Sequence, residues 1–123
     1  MIPPRLELEI KELQGTFDLS VTEMPDYLHV EVCNFPTSSL FNKPATTVLL
    51  RVPKMYPDAG LDMFWTDEDL LLAGGAQPQA SEVLETFYGK RWRRFSWHHS
   101  KWNPNVDTLF NYLGFVRRRF DSR

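Results

Sequence analysis

Three stretches in the first half of the chain alternate apolar and polar side chains with a period of two, and this pattern limits the fold more than any other feature. The first sets Phe17, Leu19 and Val21 on one side and Thr16, Asp18 and Ser20 on the other. The second sets Leu28, Val30 and Val32 against His29, Glu31 and Cys33, and Val48, Leu50 and Val52 mark the third. Successive side chains of a strand point to opposite faces, so the pattern predicts a sheet with one face buried. The connections carry turn residues, Met24-Pro25-Asp26 and then a loop at 34–45 containing Pro, Ser and Asn. Such spacing predicts an antiparallel meander.

A half-buried sheet needs a cover, and the C-terminus supplies one. Val106, Leu109, Phe110, Leu113, Val116 and Phe120 recur at helical spacing, with Arg117, Arg118 and Arg119 in the last turns, where cations suit the helix dipole. Asn103 or Asn105 is predicted to cap this helix, with Pro104 in its first turn. Residues 6–13 fit both periods, since Leu6, Leu8 and Ile10 alternate while Leu6, Ile10 and Leu13 follow a helix. Pro3-Pro4 before and Gly15 after favour a short helix. In between, Met63-Phe64-Trp65 predicts a fourth strand, Gly74-Gly75 and Pro78 a loop, and Val83, Leu84 and Phe87 a short helix over residues 81–87. The expected architecture is one α+β domain over residues 1–123. It is a four-stranded antiparallel meander with an N-terminal helix and a long C-terminal helix packed on the sheet.

With 123 residues, 42% of them apolar and 14% aromatic, the chain can close one core. A single cysteine, Cys33, cannot form an internal disulfide. The opening Met1-Ile2-Pro3-Pro4-Arg5 does not read as a signal peptide, and no apolar run nears the ~20 residues that span a bilayer. A cytoplasmic protein with no membrane partner is expected. The net charge of −2 conceals a division: residues 1–89 carry 5 basic and 14 acidic side chains, and residues 90–123 carry 9 and 2. Such a chain either presents an acidic and a basic face to a charged partner or pairs its two halves with each other.

Residues 90–107 hold two of the three histidines and three of the four tryptophans among several cations. Trp92, Trp97 and Trp102 recur every five residues, which fits neither a helix nor a strand face and predicts an irregular segment with some rings as anchors. Functional groups concentrate on such segments when a rigid scaffold holds them. Ser96 and His98 are the candidate nucleophile and base, and Arg93 or Arg94 could stabilise developing negative charge. His99 and Trp102 join the two arginines as candidate binding residues. The bland alternative makes His98 and His99 hydrogen-bonded structural residues. Basic and aromatic residues together also suit single-stranded nucleic acid, but the acidic first 89 residues count against a path for a strand. Cys33 shares a strand face with His29 and Glu31, yet a zinc site needs more ligands, so the thiol reads as structural. No metal or cofactor is expected, and Gly74-Gly75 lacks the Lys-Ser/Thr of a phosphate cradle.

Several short motifs then fall into a familiar order. They are Tyr56-Pro57-Asp58-Ala59, Asp62-Met63-Phe64-Trp65, Gly89-Lys90-Arg91-Trp92, Phe95-Ser96-Trp97-His98 and Trp102-Asn103-Pro104. The chain resembles ubiquitin-conjugating enzymes, and more specifically the bacterial branch of that superfamily found with multi-ubiquitin-like proteins. The resemblance covers about residues 15–120 and implies a ubiquitin-conjugating-enzyme fold. It also implies two partners, a ubiquitin-like protein and its adenylating activating enzyme, with the target protein undefined. Two departures stand out: Gly60-Leu61 replaces the proline pair after Tyr-Pro, and the short stretch before Trp102-Asn103-Pro104 where the family keeps its cysteine, about Arg94 to Ser96, has none, Cys33 lying two strands too early and the His-Pro-Asn motif being absent. Ser96 falls near the position of the missing nucleophile. The resemblance therefore implies transfer through an oxyester on Ser96 assisted by His98. The alternative is a non-catalytic module that docks the ubiquitin-like protein or its activating enzyme.

Overall fold

The two periods competing in residues 6–13 resolve as a helix, α1 (Pro4–Gln14), in a computed structural model that describes residues 2–98 and 101–121. Proline in the first turn gives up no intrahelical bond. Leu6, Ile10 and Leu13 form the buried stripe, while Leu8, which only the strand pattern would bury, is 62% exposed.

Six strands follow: β1 (Asp18–Glu23), β2 (Tyr27–Pro36), β3 (Ala45–Pro53), β4 (Phe64–Asp67), β5 (Val83–Phe87) and β6 (Lys90–Phe95). They pair antiparallel in the order β1-β2-β3-β4-β6-β5. The first three make the predicted meander, with Val30 opposite both Val21 and Leu50. The fourth strand also forms where Phe64-Trp65 predicts it.

The four-strand expectation is corrected to six, and the helix expected at 81–87 is instead strand β5. Val83, Glu85 and Phe87 are half-buried there and alternate with exposed Leu84 and Thr86. The cause is the turn. Tyr88 (φ 37°) and Gly89 (φ 83°) both take left-handed conformations, which match the strand twist of a two-residue hairpin. Phe87 thus pairs with Lys90, and residues 90–95 are strand rather than loop. Only 96–98 and 101–108 keep the predicted irregularity.

The last helix, α2, spans Leu109–Phe120 and is capped by Thr108, whose side chain accepts from the Asn111 amide. This corrects the Asn103/Asn105 cap. The Asn103 side chain instead accepts from the Asn105 amide, and its carbonyl takes the amides of Val106 and Asp107, closing a separate turn. Arg5 donates to the carbonyls of Pro104 and Asp107, so that turn belongs to α1 as much as to α2. Val106 and Phe110 therefore fall off the buried stripe and are 62% and 68% exposed.

The core lies between the inner sheet face and the two helices. Phe120 sits at its centre, with ring centroids 5.3–6.0 Å from those of Phe35, Phe41, Phe64 and Phe95. The outer face is not simply solvated. The sheet coils until the β5–β6 turn lies over β2, three strands away: Phe87 and Tyr88 meet the His29 ring at 5.3 and 5.4 Å, and the Tyr88 hydroxyl donates to Glu31. Beneath this flap Leu49, Trp65 and Trp92 form a second apolar cluster. Among the described residues no helix is long and apolar enough to cross a membrane.

Candidate functional site

A corner links the end of β3, the start of β4 and the approach to α2. Past β3 the chain turns through Tyr56-Pro57, joined by a cis peptide bond. The Trp102 indole lies on this turn, donating from Nε1 to the Pro57 carbonyl at 2.8 Å with its ring 5.6 Å from that of Tyr56. It covers Gly60 so closely that a Cβ there would stand 2.3 Å from the indole Cγ. The residue that departs from the proline pair is thus the one that admits Trp102.

Tyr56 runs the corner back to α1. Its hydroxyl donates to Glu9 at 2.5 Å, and the same carboxylate oxygen accepts the Leu109 amide at 2.8 Å. Burial, then the Glu9 carboxylate, pushes the Tyr56 phenol above its usual range, so it remains a donor. The other Glu9 oxygen pairs with Arg5 at 2.7 Å.

Of the sequence-predicted residues, Ser96 and His98 lie at the open end of β6 but are not joined to each other. The Ser96 amide donates to the Ala80 carbonyl at 2.8 Å, and its Oγ accepts from Arg94 Nε at 3.1 Å. His98 Nδ1 instead meets Asp62 Oδ1 at 2.6 Å, with both side chains exposed. An aspartate on one imidazole nitrogen fixes the tautomer and leaves Nε2 free to take a proton. Asp62 lies 36 residues from His98 and belongs to the Asp62-Met63-Phe64-Trp65 motif, which by itself gives no sign of this pairing.

The two arginines separate by strand parity. Arg94 points outward to Ser96 and, at 3.4 Å, to Glu85. Arg93 points inward, is buried, and donates to the carbonyls of Glu68 and Ser81 at 3.0 and 2.7 Å. Its guanidinium thus holds backbone rather than facing a ligand. Trp102 is the corner's anchor, and His99 lies outside the described residues. The cations of the C-terminal part also pair with acids of the first part: Lys90 with Asp67, Arg91 with Glu68 and Arg94 with Glu85. At these three positions the two halves pair with each other.

Cys33 is half-buried beside a bulge at Asn34 (φ 55°). Burial first, then Glu31 and Asp18, raise its thiol pKa, which suppresses the thiolate that a nucleophile needs. Its strand neighbour His29 is engaged elsewhere, accepting at Nε2 from Arg51 Nε at 3.1 Å. Among the described residues no three His, Cys, Asp or Glu side chains gather as metal ligands.

Comparison with known families gives a match over residues 10–122 to the model described as prokaryotic E2 family E. No curated protein and no solved structure matches the chain.

Proposed function

We propose, from the premise that this chain belongs to prokaryotic E2 family E, that it serves a bacterial ubiquitin-like conjugation pathway and accepts the activated C-terminus as an oxyester on Ser96. Its partners are the ubiquitin-like protein and the adenylating enzyme that activates it. The observation that supports this reading is the Asp62–His98 pair, whose histidine is two residues along the chain from Ser96 and whose aspartate is two residues from the Gly60 that Trp102 covers. In the proposed step Ser96 Oγ attacks the activated carbonyl carbon, and the bond to the activating enzyme's leaving group breaks. The hydroxyl proton passes to His98 Nε2, directly after a side-chain rotation or through a water. Asp62 steadies the imidazolium, and Arg94 steadies the charge on oxygen.

A second reading is a docking module that binds the ubiquitin-like protein or its activating enzyme without chemistry. Its support is that Ser96 Oγ is occupied by Arg94 and His98 by Asp62. One experiment separates the two. The protein is incubated with activating enzyme, ubiquitin-like protein and ATP, and the products are run with and without thiol and hydroxylamine. The oxyester reading expects a thiol-resistant, hydroxylamine-sensitive adduct that Ser96→Ala abolishes. The same adduct on Ser96→Ala removes Ser96 from the mechanism. Binding with no covalent species, unchanged in Ser96→Ala, is the docking module's result.

A further inference from the structure

On the outer sheet face, beside the corner, Arg51 is held in an unusual way. Its guanidinium carbon lies 4.2 Å from the ring centroid of Tyr27, 4.7 Å from that of Phe87 and 5.6 Å from that of Trp65. Among the described residues its one polar bond is from Nε to His29 Nε2. That bond requires a neutral imidazole. Burial, then the Arg51 charge, lowers the His29 pKa to about 4, so the ring is neutral near pH 7 and accepts that bond. Among the described residues no carboxylate lies within ion-pair distance of Arg51. Aromatic rings and a neutral imidazole thus orient this cation, with no direct ion pair among the described residues.

Arg51 also lines a cavity of about 150 Å³ together with Tyr27, Pro53, Gly60, Asp62, Met63 and Trp65. Gly60 is the residue under Trp102, and Asp62 is the partner of His98, so the cavity opens beside the candidate site. Its floor is well fixed, because Met63 (φ 60°) takes a left-handed conformation and its carbonyl accepts from the buried Tyr112 hydroxyl at 2.6 Å.

We infer that this cavity is a subsite for a carboxylate side chain, a glutamate or aspartate of a protein ligand, taken end-on by the terminal nitrogens of Arg51 between the walls of Tyr27 and Trp65. A guanidinium fork matches a carboxylate bidentately, and the apolar walls suit the methylenes behind it. A phosphate dianion fits worse, since Arg51 is the one cation lining the cavity and Asp62 repels a dianion about twice as strongly as it repels a single carboxylate. The subsite stands whether or not Ser96 carries an acyl group. If it does, the subsite selects ligands with an acidic residue close to the reacting group.

The test uses the full chain with isotope-labelled arginine and tryptophan side chains. It is titrated by NMR with the capped peptides acetyl-Gly-Glu-Gly-amide and acetyl-Gly-Gln-Gly-amide, with acetyl-Gly-Gly bearing a free C-terminal carboxylate, and with inorganic phosphate. The Glu peptide should shift the Arg51 Nε–H and Trp65 Nε1–H signals saturably and bind at least about tenfold more tightly than the Gln peptide, the ratio for one charge-assisted contact. Arg51→Met should abolish the difference. The Glu–Gln comparison on unaltered protein holds even if that variant fails to fold. Equal binding of Glu and Gln peptides, or an unchanged preference in Arg51→Met, overturns the subsite. Tighter binding of phosphate, or of the free C-terminus, overturns the assignment to a side-chain carboxylate.

Discussion

Gly60→Ala tests the corner most directly, because a single methyl group meets a single ring. The new Cβ would lie 2.3 Å from Trp102 Cγ, 2.4 Å from Cδ2 and 2.8 Å from Cβ, where ordinary contact begins near 3.4 Å. The indole must therefore withdraw by about 1 Å, which stretches its 2.8 Å bond to the Pro57 carbonyl beyond useful length. Losing that bond costs about 0.5–1.5 kcal/mol, and overpacking against the half-buried ring adds about 1–3 kcal/mol. A destabilisation of roughly 2–4 kcal/mol is expected, read as a lower urea midpoint at unchanged slope. The decisive comparison repeats the substitution in Trp102→Ala. With the indole gone, alanine at 60 should be neutral or should stabilise by up to about 1 kcal/mol through the unfolded chain. The cycle then gives a coupling of at least about 2 kcal/mol. An equal cost in both backgrounds would refute the idea that the glycine exists to seat the tryptophan.

Two further perturbations probe the scaffold. His29 titrates near 4 in the folded protein against about 6.5 in an unfolded chain. Above pH 6.5 both states hold it neutral. Between 6.5 and 4 only the unfolded state takes the proton, so stability falls as pH drops, by up to about 3 kcal/mol. His29→Gln should flatten that part of the profile measured by denaturant titration across pH, and an unchanged slope rejects the assignment. Arg93→Met removes the donor to two carbonyls, Glu68 and Ser81, and should cost about 2–4 kcal/mol in chemical denaturation. A loss below 0.5 kcal/mol would return Arg93 to the list of groups free to meet a ligand.

What the sequence made legible follows the reach of each signal. Period-two alternation over residues 17–21, 28–32 and 48–52 is local, so the meander could be read directly. The hairpin is not legible locally because Val83, Leu84 and Phe87 fit a helix, whereas the deciding fact is a turn at Tyr88-Gly89 with two positive φ angles. Gly89 was the available clue. Once β6 is known to be a strand, parity alone sends Arg93 inward and Arg94 outward. The Asp62–His98 pair lies beyond any such rule, since those residues meet only through the fold. The ring-bound setting of Arg51 is hidden likewise, because the sequence shows the cation but not that, among the described residues, it forms no ion pair.

The strand order carries a consequence for how the chain is completed. β6 is the last strand to be synthesised, yet it lies inside the sheet, between β4 and β5. Until residue 95 is available, β4 is an open edge bearing Phe64, Trp65 and Thr66, all buried in the finished molecule. Exposed apolar edges invite pairing between chains. A nascent or truncated chain ending before residue 90 would present that edge to its neighbours. The hairpin then acts as a closing clasp, docking by its second strand and leaving its first strand, which carries a single charge at Glu85, as the permanent border.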